Sequence, residues 1–197
     1  MARTAGSHAQ TTAPKVKAAA LTLFSRHGYA AVSMRQIAAE VGVQAGALYT
    51  YTPDKQTLLF SLMHDHMTEL LAEWGQFVCE TDPLARLMGF VRCHLDYHLP
   101  RREAVFISYM ELRNLNEENF ATIENLRKSY EDRLEEIVQT GMTQGVFLVS
   151  DSKIATMAVI GLLKETSTWY RPDGRLSAAQ LVEIYQKIVL QVLGAHI

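Results

Sequence analysis

The 197-residue sequence predicts an all-α fold. Three observations lead to that prediction. Apolar residues recur every three or four positions through most of the chain, which is the spacing of one helical face. Proline, glycine, serine and aspartate stand between these segments, where helices start and stop. No β-rich alternation of useful length is evident, and neither is an internal repeat or a low-complexity segment.

Length and composition narrow the class of protein. The chain is long enough for one or two domains with a sizeable core. No apolar run is long enough to span a bilayer, and Met1–Ala13 lacks the apolar centre of a signal peptide. We therefore expect a cytoplasmic protein without membrane contact. Cys79 and Cys93 are too few for a disulfide framework or a four-ligand zinc site. We expect both to be core residues, with a thiol sensor as the less favoured alternative.

Charge is unevenly distributed along the chain. Residues 1–60 carry six basic and two acidic side chains, whereas the remainder carries thirteen basic and nineteen acidic ones. A basic end on an otherwise acidic protein indicates that the first sixty residues meet a polyanion. Because the surplus is modest, a dimer that doubles the phosphate contacts would bind nucleic acid more strongly.

The first predicted helix follows a polar segment. Residues 1–13 are small and polar without periodicity, which predicts a disordered tail. Pro14 suits the first turn of a helix. That helix extends to His27 and ends at Gly28. Its apolar stripe comprises Val16, Ala19, Ala20, Leu23 and Phe24.

Two short helices hinged at a glycine are predicted between Ser33 and Tyr51. Ser33 is placed to cap the first of them, because its hydroxyl accepts from free backbone N–H groups. Gly42 stands where a residue in the left-handed region stops a helix. The apolar face of this first short helix consists of Ile37, Ala38 and Val41.

The second short helix is predicted to open at Gln44, with Ala47 and Leu48 facing the core. Its other residues are small or neutral polar, so that backbone approaches a groove closely, and the hydroxyls of Tyr49 and Tyr51 reach phosphate oxygens. Helix, glycine turn and helix over about twenty residues is typical of a helix-turn-helix module, whose second helix enters the DNA major groove. The alternative is a helical corner of an unrelated bundle.

The segment Thr52-Pro53-Asp54-Lys55 predicts the start of the next helix. Pro53 pre-sets φ and Asp54 suits the helix dipole. Lys55 in the first turn is slightly unfavourable for the helix itself. A phosphate bound at that helix N-terminus would account for it.

The remainder of the chain is helical by the same pattern. Capping residues and prolines such as Asp82, Pro83, Pro100 and Ser177 mark the boundaries. The predicted helices cover about residues 54–79, 83–99, 104–115, 116–140, 152–170 and 178–193.

The last predicted helix is nearly uncharged, and together with the helix before it, it forms a pair too apolar to complete a monomer. Ala155, Ala158 and Gly161 permit close approach of another helix. Such a pair favours a four-helix interface between two copies of the chain. The alternative is that these helices complete the core of a monomer.

Large apolar and aromatic residues recur at helical spacing in the middle of the chain. Each is more often a core residue than a ligand contact, but together they favour a pocket for a sizeable apolar ligand. The predicted ligand-binding residues are Met63, Met67, Trp74, Phe90, Tyr97, Phe106, Met110 and Trp169.

His94 and His98 lie four residues apart on one predicted helix face. A zinc site needs at least a third ligand, and the H-E-x-x-H motif is absent. We therefore expect a structural role for both, and neither a metal nor a cofactor in the protein.

Residues 15–60 resemble the N-terminal DNA-binding domain of the TetR family of bacterial transcriptional regulators. The resemblance rests on A-x-x-L-F-x-x-x-G-Y at 20–29, S-M-R-Q-I-A at 33–38, G-V at 42–43, G-x-L-Y-x-Y at 46–51 and the lysine-bearing helix start at 53–55. It implies a three-helix DNA-binding domain at 14–53, and an effector-binding and dimerisation domain at 54–197. It also implies a homodimer that pairs through its last two helices and binds a palindromic operator in double-stranded DNA.

The family pattern implies a role for each matching residue. Ser33 and Arg35 are expected to contact phosphate or a base edge, and Tyr49 and Lys55 to contact phosphates. The alternative for Tyr49 is a ring packed in the small core, and for Arg35 a solvated helix residue. Two departures matter: Ala45 stands where members often carry lysine, which affects the operator sequence, and Thr52 stands where they usually carry phenylalanine. The residues that face bases are Gln44, Ala45, Gly46 and Thr50.

The second part of the chain is similar to TetR-family members that respond to acyl-CoA thioesters. The similarity rests on E-L-R-N-L at 111–115, R-K-S-Y-E at 127–131, G-x-x-x-G-V-F at 141–147 and W-Y-R-P-D-G at 169–174. It implies that Arg113, Arg127 and Arg171 pair with a phosphate or thioester. A surface salt bridge is the alternative for each arginine.

Two functions from different classes are compatible with the residues. The favoured one is a homodimeric repressor released from DNA by a small, largely apolar effector. The rival is a small all-helical enzyme or metal-binding protein with a fortuitous helix-turn-helix corner. No nucleophile–base pair, glycine-rich phosphate loop or carboxylate–histidine cluster in the sequence supports the rival.

Overall fold

The structure is a computed structural model that describes residues 5–77 and 81–195, with the backbone alone for residues 5–11. Within those ranges the chain forms nine α-helices, two short 3₁₀ helices and no β-strand, so the all-α prediction is confirmed. None of these helices is long and apolar enough to cross a membrane. The α-helices are α1 (Ala5–His27), α2 (Met34–Val41), α3 (Ala45–Leu48), α4 (Lys55–Gln76), α5 (Pro83–His98), α6 (Arg102–Met110), α7 (Glu117–Thr143), α8 (Ser152–Trp169) and α9 (Ala178–Val192).

The chain divides into two compact units. The first unit comprises the described parts of Met1–His66 together with Glu103–Ile123, and the second comprises those of Met67–Arg102 with Glu124–Ile197. The boundary predicted between residues 53 and 54 separates a DNA-binding domain from an effector-binding domain, and this functional division stays a prediction. The start of α4 belongs to the first unit because Lys55 and Gln56 both make hydrogen bonds within it.

Helix α1 begins earlier than predicted. It starts at Ala5 and contains Pro14, so the disordered tail predicted for residues 1–13 is corrected for residues 5–13. Alanine has the strongest helix propensity, and Ala5, Ala9 and Ala13 extend the helix ahead of the proline. The predicted stripe is largely confirmed, since Val16, Ala19, Ala20 and Phe24 are buried.

Helix α2 begins and ends where the sequence predicts. Ser33 has an extended backbone, its Oγ accepts the N–H of Gln36 at 3.3 Å, and its own N–H donates to Gln36 Oε1 at 2.8 Å. This reciprocal pair is a capping box. Gly42 ends the helix with φ of 78°, in the left-handed region, and its N–H returns to the carbonyl of Ala39 at 3.1 Å.

The second unit has one apolar core built from α4, α5, α7, α8 and α9. Buried side chains from all five helices pack into a single cluster. Its largest buried members include Phe90, Phe147, Leu87, Leu95 and Leu70.

The G-x-x-x-G-V-F segment at 141–147 has a structural explanation. Gly145 has φ of 70°, and the N–H of Val146 bonds to the carbonyl of Gly141 at 2.8 Å, which closes the end of α7. The buried ring of Phe147 then lies directly on Gly141, where a Cβ would be 2.0 Å from Cδ2. Only glycine leaves room for that ring.

We predict that Gly141→Ala lowers the free energy of unfolding by about 1–3 kcal/mol, because the added methyl overpacks the site against Phe147. Gly75→Ala is the matched control. Gly75 also lies within a helix, but a Cβ there meets no atom within 4 Å, so this variant gains up to about 1 kcal/mol from helix propensity. Urea titration followed by circular dichroism measures both. Equal midpoints for Gly141→Ala and the wild-type protein would contradict the packing explanation.

Candidate nucleic-acid interface

Helix α3 is a single turn held by one side chain. It covers Ala45–Leu48, and Leu48 is fully buried. Gln44 precedes the helix with an extended backbone, and its carbonyl accepts the N–H of Ala47 at 2.9 Å. The segment continues through turns in which Tyr51 donates its N–H to the carbonyl of Leu48 at 2.9 Å. The second helix is therefore shorter than predicted.

Ala47 does not face the core, which corrects the prediction made for it. Its side chain is exposed, whereas the next residue, Leu48, is buried. Successive residues of an α-helix point about 100° apart, so in one turn the burial of Leu48 turns Ala47 outward.

The residues predicted to meet DNA form an exposed surface from Gln44 to Thr50. Tyr49 is 55% exposed, so its ring does not pack into the core of the first unit. A Cβ added at Gly46 would meet no atom within 4 Å. Thr50 donates its hydroxyl proton to the carbonyl of Ala47 at 2.6 Å, and its oxygen therefore remains available as an acceptor. Of the four residues predicted to face bases, only Ala45 is half-buried.

Ser33 and Arg35 lie at the exposed start of α2. The backbone N–H and the hydroxyl of Ser33 are engaged with Gln36 in the capping box. Arg35 is exposed in the first turn of α2, where it supplies the positive charge of this helix start. Their predicted contacts with phosphate or bases stay predictions.

Lys55 has a second role that the sequence did not indicate. Its ammonium donates to the carbonyls of Tyr29 and Val32 at 2.8 Å each and lies 4.2 Å from the centre of the Tyr29 ring. Burial lowers the pKa of Lys55. One of its three N–H donors remains for a phosphate. The predicted phosphate contact stays a prediction, and the observed contacts join the start of α4 to the turn that precedes α2.

The predicted ligand-binding residues fall into two groups. One group is buried and consists of Met63, Met67, Trp74, Phe90 and Tyr97. The other is exposed and consists of Phe106, Met110, Arg113 and Trp169. The predicted single pocket is thus not formed by all nine side chains, and their binding role stays a prediction.

A cavity of about 270 Å³ lies in the second unit beside Tyr97. Besides Tyr97 it is lined by Glu73, Phe77, Cys93, Asp96 and Arg101. Tyr97 donates its hydroxyl to Glu69 at 3.2 Å, and the guanidinium of Arg101 lies 4.0 Å from the centre of the Tyr97 ring. Among the nine predicted ligand-binding residues, Tyr97 is the one that lines this cavity.

His94, His98 and Cys93 have core positions. His94 and His98 are buried and stacked with ring centres 4.1 Å apart, and Nδ1 of His98 donates to the carbonyl of His94 at 2.7 Å. Burial lowers the pKa of His98 to about 4. Burial, with Glu73 and Asp96 nearby, raises the pKa of Cys93 to about 12, so its thiol is protonated at neutral pH. Cys79 lies outside the described residues. Within those residues, no three metal-binding side chains converge.

Two family models match the chain. Bacterial regulatory proteins of the tetR family match residues 17–62, which contain α2, α3 and the start of α4. The tetracyclin repressor-like C-terminal domain matches residues 80–193.

Individual relatives are similar over nearly the whole chain. The HTH-type transcriptional repressor KstR2 of Mycolicibacterium smegmatis is 27% identical over 177 residues, which are 87% of this chain and 85% of that protein. The fatty acid metabolism regulator protein of Bacillus subtilis is 25% identical over 182 residues, covering 90% and 92% of the two chains. The crystal structure of a tetR-family regulatory protein from Rhodococcus RHA1 aligns with a TM-score of 0.88 at 27% identity and covers 94% and 98%.

Proposed function

The chain belongs to the TetR family of bacterial regulatory proteins, and on that premise we propose that it is a homodimeric repressor released from a palindromic operator by an acyl-CoA thioester. Membership makes it a DNA-binding transcription regulator and not an enzyme. The observation that carries the DNA-binding part of the proposal is the exposed surface from Gln44 to Thr50. This surface has small and neutral side chains, and the burial of Leu48 anchors it to the core. It lies at the position of the recognition helix in a helix-turn-helix.

Exposed apolar side chains on the last two helices support the homodimer. On α8 the exposed residues recur at helical spacing, and Gly161 and Ala158 lie among them. Monomeric proteins rarely expose a contiguous apolar stripe of this kind, whereas an interface between two copies buries it. The large exposed side chains of the stripe are Ile154, Met157, Leu162 and Trp169 on α8, and Ile184 and Val192 on α9.

The effector proposal is supported by similarity and by composition. One relative is named a fatty acid metabolism regulator, and another is a repressor similar over 87% of this chain. Methionine and aromatic side chains are concentrated in the core of the second unit, where Met67, Trp74, Phe90 and Tyr97 pack together. Methionine side chains adapt readily to a ligand, and aromatic side chains commonly line pockets for apolar ligands. Ligand binding would then favour a spacing of the two recognition helices that does not fit successive major grooves.

We predict that two substitutions in the exposed surface have different effects on DNA binding. Gln44→Ala relaxes the base preference at one operator position by about 1–3 kcal/mol, because a base-edge contact is lost. Tyr49→Phe weakens binding by about threefold to tenfold at every sequence, because a phosphate contact is lost. Fluorescence anisotropy against a set of single-base operator variants measures both. Gln144→Ala, a substitution at an exposed position of the second unit, is the control. If Gln44→Ala and Tyr49→Phe both bind DNA like the wild type, the assignment of this surface is rejected.

We predict that Gly161→Trp converts the dimer to monomers. A Cβ at Gly161 meets no atom of its own protomer within 4 Å, so we expect the variant to fold. At a helix–helix interface, overpacking of about 3 kcal/mol raises the dimer dissociation constant by about 100-fold. Sedimentation velocity measures this constant. Ala121→Trp, at an exposed position of α7, is the matched control and leaves the dimer intact. A Gly161→Trp variant as dimeric as the control would contradict the proposed interface.

We predict that a long-chain acyl-CoA lowers operator affinity by at least about fivefold, within the usual range of allosteric coupling. Mass spectrometry of the purified protein identifies any acyl-CoA that it retains. Anisotropy titrations with lauroyl-CoA and palmitoyl-CoA then test release, with free CoA and free palmitate as controls. Affinity unchanged by both thioesters, or changed equally by the controls, would reject this effector class.

A further inference from the structure

We propose that Glu111, Asn114 and Gln56 are positioning residues for DNA binding. Together with Tyr29 and Lys55 they close a hydrogen-bonded circuit that fixes both ends of the helix-turn-helix. This inference rests on the proposed operator binding and adds two residues, Glu111 and Asn114, that lie outside the segment matched by the N-terminal family model.

Tyr29 is held from two sides. Its N–H donates to Oε1 of Glu111 at 3.2 Å, and its carbonyl accepts from the ammonium of Lys55 at 2.8 Å. The preceding residue, Gly28, has φ of 80°, and a Cβ there would lie 3.5 Å from Oε1 of Glu111. The Tyr29 ring also packs edge-on against Phe24 at 5.3 Å, so the residue is fixed by its backbone and its side chain.

Glu111 carries the circuit onward. It is only 8% exposed, and its second carboxylate oxygen accepts from Nδ2 of Asn114 at 2.6 Å. The carbonyl of Asn114 accepts from Nε2 of Gln56 at 2.8 Å, and Oε1 of Gln56 accepts the N–H of Asn116 at 3.3 Å. Gln56 is the neighbour of Lys55 on α4, which closes the circuit.

The position of the circuit defines its role. Val32, whose carbonyl also accepts from Lys55 at 2.8 Å, immediately precedes the capping residue Ser33, and Lys55 begins the helix after the module. The circuit therefore joins the entrance and the exit of the segment that contains α2 and α3. A module held in this way loses less conformational freedom when it meets the groove, and preorganisation of this kind raises affinity without a contact to the ligand.

The test uses the full chain and an operator that the wild-type protein selects from a random-sequence duplex library. Glu111→Ala and Gln56→Ala each remove two hydrogen bonds of the circuit. Each is expected to weaken binding to that operator by about tenfold, the size of effect that loss of part-buried hydrogen bonds produces. The double variant is expected to lose less than the product of the two, because both residues act in one network. Glu117→Ala, an exposed carboxylate at the start of α7, is the control.

Two further readouts separate positioning from a phosphate contact and from general destabilisation. The salt dependence of operator binding and the affinity for a non-operator duplex of equal length are expected to remain at wild-type values, because neither Glu111 nor Gln56 belongs to the surface proposed to contact DNA. Glu111→Gln is expected to bind DNA within about twofold of the wild type. The new amide oxygen still accepts the N–H of Tyr29, and the new amide N–H donates to the side-chain oxygen of Asn114 once the Asn114 amide has rotated by half a turn.

The other possible results of this experiment would reject either the proposed function or the role of the circuit. Failure of the wild-type protein to select any operator would reject the proposed function. A wild-type protein that selects an operator which Glu111→Ala and Gln56→Ala bind equally well would reject the circuit alone. Equal losses on operator and non-operator duplexes, measured well below the unfolding temperature, would also overturn the positioning role.

Discussion

The burial of Leu48 is the interaction on which the proposed DNA-binding surface depends. A helix of four residues is far below the length at which helices persist in water, so α3 draws its stability from tertiary contacts. One apolar anchor sets the rotation of the turn and thereby decides which side chains point outward. Ala47 is exposed for this reason, and the face from Gln44 to Thr50 follows from the same choice.

Because few side chains of the helix-turn-helix are buried, contacts at its two ends determine much of its conformation. The capping box at Ser33 and the left-handed Gly42 fix the length of α2 through local hydrogen bonds. Lys55 and Glu111 fix its surroundings through contacts with Tyr29. Both charged groups lie against backbone polar atoms, which offsets the cost of taking them out of water.

Features that depend on neighbouring residues were predictable from the sequence, whereas contacts between residues far apart in the chain were not. The cap at Ser33, the stop at Gly42 and the stripe of α1 depend on residues within one or two turns, so the sequence shows them directly. The contacts of Lys55 span 26 and 23 residues and that of Glu111 spans 82, and no periodicity marks them. Apolar character likewise does not distinguish a core residue from a surface residue. The spacing of Phe106 and Trp169 therefore suggested a pocket wall, although both side chains are exposed.

The packing of the second unit constrains how an effector could act. Met67, Trp74 and Phe90 are at most 6% exposed and belong to one cluster, so an acyl chain that enters among them must separate side chains now in contact. Binding there would select a minor, opened arrangement of the core, and the apparent affinity would be reduced by the fraction of molecules in that arrangement. An effector that reached only exposed side chains would make no such demand. It would shift the equilibrium only by the difference in its affinity for the two arrangements.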